Sequence, residues 1–168
     1  MLIDSHCHLD RLAFSAGDDL DTLLEAARGR GVGGFLTVGV DLASSRQMVD
    51  LAARYPDVYA SVGVHPLQET PQPVPAVAEL VALGEWEGVV AIGETGLDGH
   101  YSAESLDWQA ESFINHLEAA RQLGKPVIVH TRDAREQTLE ILQRHACRDS
   151  GGVLHCFTES WEMAQAAI

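Results

Sequence analysis

The stretch at residues 89–98 reads VVAIGETGLD, and the predicted fold rests on its pattern. It begins with four apolar residues, Val89 to Ile92, and continues into a short polar segment that contains Glu94. Near-continuous apolar runs of this kind are typical of parallel strands that are buried on both faces. We therefore predict a buried parallel strand here, with Glu94 placed just after its apolar part.

Similar apolar runs recur along the chain, and helix patterns separate them. The other β-type runs are Leu2–Asp4, Phe35–Val38, Val58–Val62, Val127–Val129 and Val153–Leu154. Between the runs, apolar residues repeat with the i, i+3, i+4 spacing of amphipathic helices, as at Leu20, Leu23, Leu24 and Ala27. This alternation of strand and helix predicts an α/β fold with about six βα units and a parallel sheet.

Composition and charge narrow the class of protein. The 168 residues include 46% apolar residues, and no apolar run approaches the roughly 20 residues that span a bilayer. The N-terminus lacks the features of a secretory signal, and the three cysteines show no CxxC spacing. We therefore expect a cytoplasmic protein with no membrane partner. The formal net charge of −14 disfavours bulk electrostatic binding of nucleic acid, so a phosphodiester substrate would have to be held locally.

Metal-ligating side chains follow the predicted strands. The residues at these strand ends are His6, His8, His65, Glu94, His130 and His155. Because the carboxyl ends of parallel strands face one side of the fold, residues far apart in sequence are expected to converge there.

The pair His6 and His8 gives the sharpest local signal. On an extended backbone, residues i and i+2 point to the same side, so both imidazoles can reach one cation. A single strand-end residue such as His130 is more often a core or loop histidine, and Glu94 alone could be a solvated acid. Their shared position favours a metal site, and a bridging carboxylate would permit two divalent ions about 3.5–4 Å apart. His100, His116 and His145 are expected to be structural.

Five segments carry a resemblance to a known family. They are HCHLD at residues 6–10, GVHP at 63–66, IGETGLD at 92–98, VHTR at 129–132 and LHCFT at 154–158. In this order and spacing they resemble the TatD family of metal-dependent deoxyribonucleases, in the amidohydrolase superfamily. The resemblance spans nearly the whole chain.

The resemblance implies a fold, a reaction and a set of ligands. The fold would be a (β/α)8 TIM barrel, and the activity would be hydrolysis of DNA phosphodiester bonds, commonly from 3′ to 5′ and on single strands or 3′ ends. One metal ion would be held by His6, His8 and Glu94, and a second by Glu94, His130 and His155. The two divalent ions would be zinc, magnesium or manganese, and Glu94 would be the catalytic bridging residue. Apart from the resemblance, His65 and Arg132 lie at the predicted rim of the pocket, where cationic donors could hold a phosphate oxygen and bind substrate; a structural loop role is the alternative for each.

Two departures from the family pattern qualify these expectations. The final acidic ligand, an Asp after the eighth strand, would lie beyond Ile168. We therefore expect residues 1–168 to form a single hydrolase domain that stops before the last two βα units and is inactive when isolated. Glu159 stands where the family usually has Gly, and its charge would be unfavourable beside a phosphate.

Two other functions remain compatible with the sequence. The same metal site could hydrolyse a small ester, amide or lactone, and the net charge of −14 favours this alternative. The chain could also be a non-catalytic metal-binding fragment. The oligomeric state does not follow from the sequence.

Overall fold

The computed structural model describes residues 1–14, 17, 19–68 and 72–168. Within these residues, strands and α-helices alternate as the sequence predicts. The strands are β1 (Leu2–Cys7), β2 (Val32–Val38), β3 (Val58–Val62), β4 (Val89–Asp98), β5 (Val127–Arg132) and β6 (Gly152–Leu154). The helices are α1 (Leu20–Gly29), α2 (Leu42–Arg54), α3 (Val77–Gly84), α4 (Leu106–Leu123), α5 (Arg135–His145) and α6 (Trp161–Ala167). None of the described helices is long and apolar enough to cross a bilayer.

The strands form one parallel sheet in the order of the sequence, β1 to β6, which curls into a half-barrel with the helices between its strands. Each strand pairs in parallel with its neighbours. The predicted parallel α/β sheet is therefore confirmed. This topology brings the carboxyl ends of all six strands to one side, where the predicted site residues lie.

The central strands are buried and the edge strands are not. Nine of the ten residues of β4 are buried, whereas Leu2 and Ile3 of β1 are 64% and 56% exposed. The expectation that every apolar run is buried on both faces is therefore wrong for β1 and for β6, where Val153 is 54% exposed. Among the described residues, β1 and β6 each have a strand neighbour on one side only, so part of their apolar surface stays in contact with solvent.

The strands that carry the site run beyond their apolar parts. β4 continues through Glu94 to Asp98, because ladder pairing with β5 is restored from Thr95 onward after an irregularity. His6 and His130 likewise lie within β1 and β5 rather than after them. Consequently, these side chains are positioned by strand backbone and not by loops.

Candidate metal centre

Glu94 is the centre of the candidate site. Its side chain is buried near the carboxyl end of β4, and histidines from three other segments face it. Two sets of potential ligands share this carboxylate, and within each set the ligand atoms lie within 4.8 Å of one another. The sets are His6, His8 and Glu94, and His65, Glu94 and His130.

The first set consists of groups whose lone pairs are available. His6 Nε2 is buried, has no hydrogen-bond partner and lies 3.3 Å from Glu94 Oε2. His8 Nδ1 lies 3.2 Å from the Val38 carbonyl oxygen, which can only accept, so Nδ1 carries the proton. The neutral imidazole of His8 therefore has its free lone pair on Nε2. An orphaned buried nitrogen beside a carboxylate is the arrangement that a cation would satisfy.

The second set is organised around His130. Its Nε2 donates to Asp98 Oδ2 at 2.9 Å, and its Nδ1 lies 3.4 Å from Glu94 Oε1. Because both carboxylates accept only, neutral His130 presents a lone pair to a carboxylate oxygen. A cation between these two atoms, or protonation of His130, would relieve this repulsion. A carboxylate behind a ligating histidine, such as Asp98 here, commonly fixes the tautomer of that histidine.

His65 lies close enough to be a ligand, but its hydrogen bonding argues against that role. Its Nδ1 accepts the Leu67 backbone N–H at 3.0 Å, so the proton of the neutral ring is on Nε2. That Nε2 lies 3.5 Å from Glu94 Oε1. A nitrogen that carries a proton has no lone pair for a metal ion. The His65 ring is therefore a potential donor to an anionic group, and its predicted contact with substrate stays a prediction.

His155 is placed next to the first set without joining either. Its ring stacks on the His6 ring with centroids 3.5 Å apart and planes 5° from parallel. Burial and the neighbouring His6 lower the pKa of His155, which favours the neutral ring. Among the described residues, neither set of converging ligand atoms includes it. Its predicted role as a ligand of the second ion therefore stays a prediction.

The charge on Glu94 depends on its histidine neighbours. Burial raises the pKa of this carboxyl, but the contacts with His130, His6 and His65 outweigh burial and leave the pKa well below its ordinary value. Burial lowers the pKa of His130, whereas Glu94 and Asp98 raise it and prevail. The centre therefore keeps an ionised carboxylate in a buried position, where a positive charge must accompany it.

Glycines allow the backbone to come close around Glu94. A Cβ on Gly63 would lie 2.6 Å from the backbone of Gly93, the residue before Glu94. Gly96 has a φ of +137°, and a Cβ there would lie 2.0 Å from the His130 carbonyl oxygen. Neither position can accept a side chain without a backbone shift, so these glycines set the spacing of β3, β4 and β5 at the site.

Arg132 and Glu159, the two charged residues that the sequence placed near a bound phosphate, have different partners: an aromatic ring for Arg132 and an arginine for Glu159. The Arg132 guanidinium lies over the Tyr101 ring, with Cζ 4.7 Å from the ring centroid. Glu159 accepts from Nε and Nη2 of Arg135 at 2.9 and 2.8 Å. The charge of Glu159 is therefore compensated by a residue at the start of α5, which reduces the repulsion expected from the sequence.

Three supporting residues were not predicted to act at the site. Gln109 accepts the Asp98 backbone N–H at 2.7 Å, and Tyr101 packs on Arg132. Leu67 contributes the N–H that sets the tautomer of His65. Gln109 and Tyr101 carry no sequence pattern beyond helix or loop composition. Only the fold brings them to the strand ends.

The comparisons with known proteins agree with this geometry. A family model described as TatD related DNase matches residues 3–168. A protein of Escherichia coli K12, named uncharacterized metal-dependent hydrolase YcfH, is 50% identical over 165 residues, which cover 97% of this chain and 61% of that protein. The 3'-5' ssDNA/RNA exonuclease TatD of Escherichia fergusonii is 35% identical over 150 residues, which cover 89% of this chain and 58% of that protein.

A solved structure extends the likeness to the fold. The crystal structure of YJJV, a TatD homolog from Escherichia coli K12, matches with a TM-score of 0.84 and 30% identity, covering 98% of this chain and 63% of that one. The chain belongs to the TatD-related DNase family, and the predicted family and TIM-barrel class are both confirmed. It spans 61% of the length of YcfH and 58% of the length of the exonuclease.

Proposed function

We propose that this chain carries the two-metal centre of a hydrolase that cleaves phosphodiester bonds in single-stranded DNA, acting from 3′ ends. The observation that carries the proposal is Glu94, a buried carboxylate with potential metal ligands converging at each of its two oxygens. A carboxylate in this position suits a bridge between two cations. The relatives named metal-dependent hydrolase and 3'-5' exonuclease support the reaction class.

The free lone pairs of the imidazoles indicate which residues would hold each of the two ions. His6, His8 and Glu94 Oε2 would hold one divalent ion, because both imidazoles have an available nitrogen there. Glu94 Oε1 and His130 Nδ1 would hold the other, with His155 completing it from beside His6. Zinc, manganese and magnesium are the candidate ions, and the imidazole-rich set favours zinc. Such ions would lower the pKa of a bound water and neutralise charge on the phosphate oxygens.

Two residues that are not proposed as metal ligands would orient the substrate, and a third would orient a ligand. His65 directs a protonated Nε2 toward Glu94 and can donate to a non-bridging phosphate oxygen. Arg132 is exposed at the end of β5 and can contact a neighbouring phosphate. Asp98 holds the His130 ring so that Nδ1 faces the reaction centre. The negative charge of Glu94 would be needed most directly, because Glu94 would be a ligand of both ions.

A digestion assay tests the proposal. Metal would be removed from the full-length protein with a chelator, and zinc, manganese or magnesium would then be added in turn. Single-stranded oligonucleotides labelled at the 5′ or the 3′ end would report the direction of cleavage. We expect no cleavage without metal and early release of the 3′ label with metal. Cleavage that persists after complete removal of metal would contradict the proposal.

Hydrolysis of a small ester, amide or lactone is the second candidate. The net charge of −14 favours a substrate with less negative charge than a nucleic acid. Comparison of kcat/KM for an oligonucleotide and for neutral esters and lactones distinguishes the two candidates. A higher value for the neutral compounds would select the second.

A further inference from the structure

Tyr101 presents an exposed aromatic ring beside the metal centre. The residue is 62% exposed and lies just after β4, three positions beyond Asp98. The Arg132 guanidinium packs over its ring, and the His100 ring meets it edge-on with centroids 4.5 Å apart. The exposure leaves part of the Tyr101 ring open to a ligand.

The backbone holds this ring in a defined place. Asp98 Oδ1 accepts the backbone N–H groups of His100 and Tyr101 at 3.0 and 2.7 Å. The Gly99 N–H donates to the Arg132 carbonyl oxygen at 2.8 Å, and Asp98 pairs with Arg132 in the strand register. Tyr101 and Arg132 are therefore fixed on adjacent strand ends.

The same Asp98 connects this surface to the metal centre. Its Oδ2 accepts from His130 Nε2 at 2.9 Å, while its Oδ1 holds the Tyr101 loop. One side chain therefore sets the position of both a predicted metal ligand and the exposed ring. A substrate group stacked on the ring would therefore share the Asp98 anchor with a predicted metal ligand.

The Arg132 guanidinium lies over an aromatic ring and not beside a carboxylate, as that of Arg54 also does. Arg28, Arg121, Arg135 and Arg144 each form an ion pair with a carboxylate. In the described part of the chain, Arg132 forms no ion pair, and its guanidinium contacts the Tyr101 ring. In a chain with a net charge of −14, a guanidinium that remains unpaired near the centre is well placed to meet an anion.

We infer that Tyr101 and Arg132 form a stacking platform for an unpaired nucleobase next to the phosphate that is cleaved. The inference rests on the proposed function and specifies how the same site recognises a nucleic acid. Stacking on an aromatic ring does not depend on net charge, so it can supply affinity that an acidic surface cannot. A base inside a duplex is already stacked, and the platform therefore selects single strands or frayed 3′ ends.

Binding measurements with matched oligonucleotides test the platform. Fluorescence anisotropy would measure the binding of single strands to the full-length, metal-loaded protein. The strands carry phosphorothioate linkages, which resist cleavage. One strand carries all its bases, and the other has abasic residues at its 3′ end. We expect Tyr101→Ala to weaken binding of the first strand on the order of tenfold and to leave the second unchanged. Tyr101→Phe, which keeps the ring, should bind like the parent.

Trp86→Ala is the matched control. Trp86 is 58% exposed, but it lies before β4, at the opposite end of the sheet. Its removal should alter neither affinity, and circular dichroism would verify that each variant is folded. Equal affinity of the parent for the two strands, absence of measurable binding, or an equal loss for both strands in Tyr101→Ala would overturn the platform. Failure of the parent to cleave any nucleic acid overturns the proposed function instead, since the binding comparison needs no turnover.

Discussion

Two histidine environments in the molecule differ in their hydrogen bonding. His116 of α4 is fully buried, its Nε2 accepts the Val64 N–H at 2.9 Å, and its Nδ1 donates to the Ser112 carbonyl oxygen at 2.7 Å. Every polar atom of that ring has a partner. At the Glu94 centre, His6 Nε2 has none, and His130 Nδ1 faces a carboxylate oxygen.

The difference distinguishes a structural histidine from histidines that are candidate metal ligands. A ring with both nitrogens paired to the backbone contributes to stability and has no lone pair for a ligand. Rings whose lone pairs converge on a buried carboxylate are unfavourable until a cation joins them. His116 also accepts the backbone N–H of Val64, the residue before His65. The fully hydrogen-bonded His116 therefore stabilises the loop that carries His65 to the Glu94 centre.

The largest expected effect comes from removing the charge of Glu94. Glu94→Gln keeps the shape of the side chain but replaces one oxygen by a donor, so the histidines lose the anion that they share. We expect activity to fall by about 1000-fold or more, because both ions lose a ligand. Steady-state assays would measure the loss, with Glu118→Gln, on the exposed face of α4, as the control. Parent-like activity of Glu94→Gln would rule out the bridge.

Asp98→Asn should change the tautomer of His130. The Asn amide would donate to His130 Nε2, which moves the ring proton to Nδ1 and blocks the lone pair that faces Glu94. We expect metal affinity to fall by about 10- to 100-fold, as for other partners of ligating histidines. Isothermal titration with zinc would measure it. An unchanged affinity would mean that His130 does not bind through Nδ1.

His116 should make stability depend on pH. Burial lowers the pKa of His116 from 6.5 to about 4, so the unfolded chain binds a proton more readily than the folded one. The stability is therefore fully present above pH 6.5 and is lost as the pH falls toward 4. Between pH 7 and pH 5 the free energy of unfolding should drop by roughly 2 kcal/mol from this group. Urea titrations of parent and His116→Gln would show a steeper pH dependence in the parent; identical slopes would contradict this.

Arg132 should have the smallest effect. Arg132→Gln removes one phosphate contact at the rim, and we expect kcat/KM on oligonucleotides to fall only about fivefold, on the order of 1 kcal/mol. The salt dependence of binding should also become shallower by about one unit of slope. Arg148→Gln, in the turn before β6 at the opposite end of the sheet, is the control and should change neither quantity.

The sequence predicted those features of the fold and of the site that depend on local patterns of residues. Apolar runs identified all six strands, because burial on a parallel sheet requires such runs, and the histidines after them were correctly expected on one side of the fold. The assignment of His116 as structural also agrees with its position in α4.

What the sequence could not predict depends on contacts between distant residues. The tautomer of His65 follows from the Leu67 N–H, and the stacking of Tyr101 on Arg132 follows from the register of β4 and β5. The exposure of Leu2 and Ile3 depends on which strands flank β1, which an apolar run does not reveal. Ligand roles for individual histidines therefore require the three-dimensional hydrogen bonding.

Anomalous diffraction from crystals of the zinc- or manganese-loaded protein tests the central claim most directly. We predict two peaks about 3.5–4 Å apart, one on each side of the Glu94 carboxylate. The first should lie on His6 and His8, the second on His130 Nδ1, and His65 should contact neither. A single peak, or a peak bonded to His65 Nε2, would contradict the account.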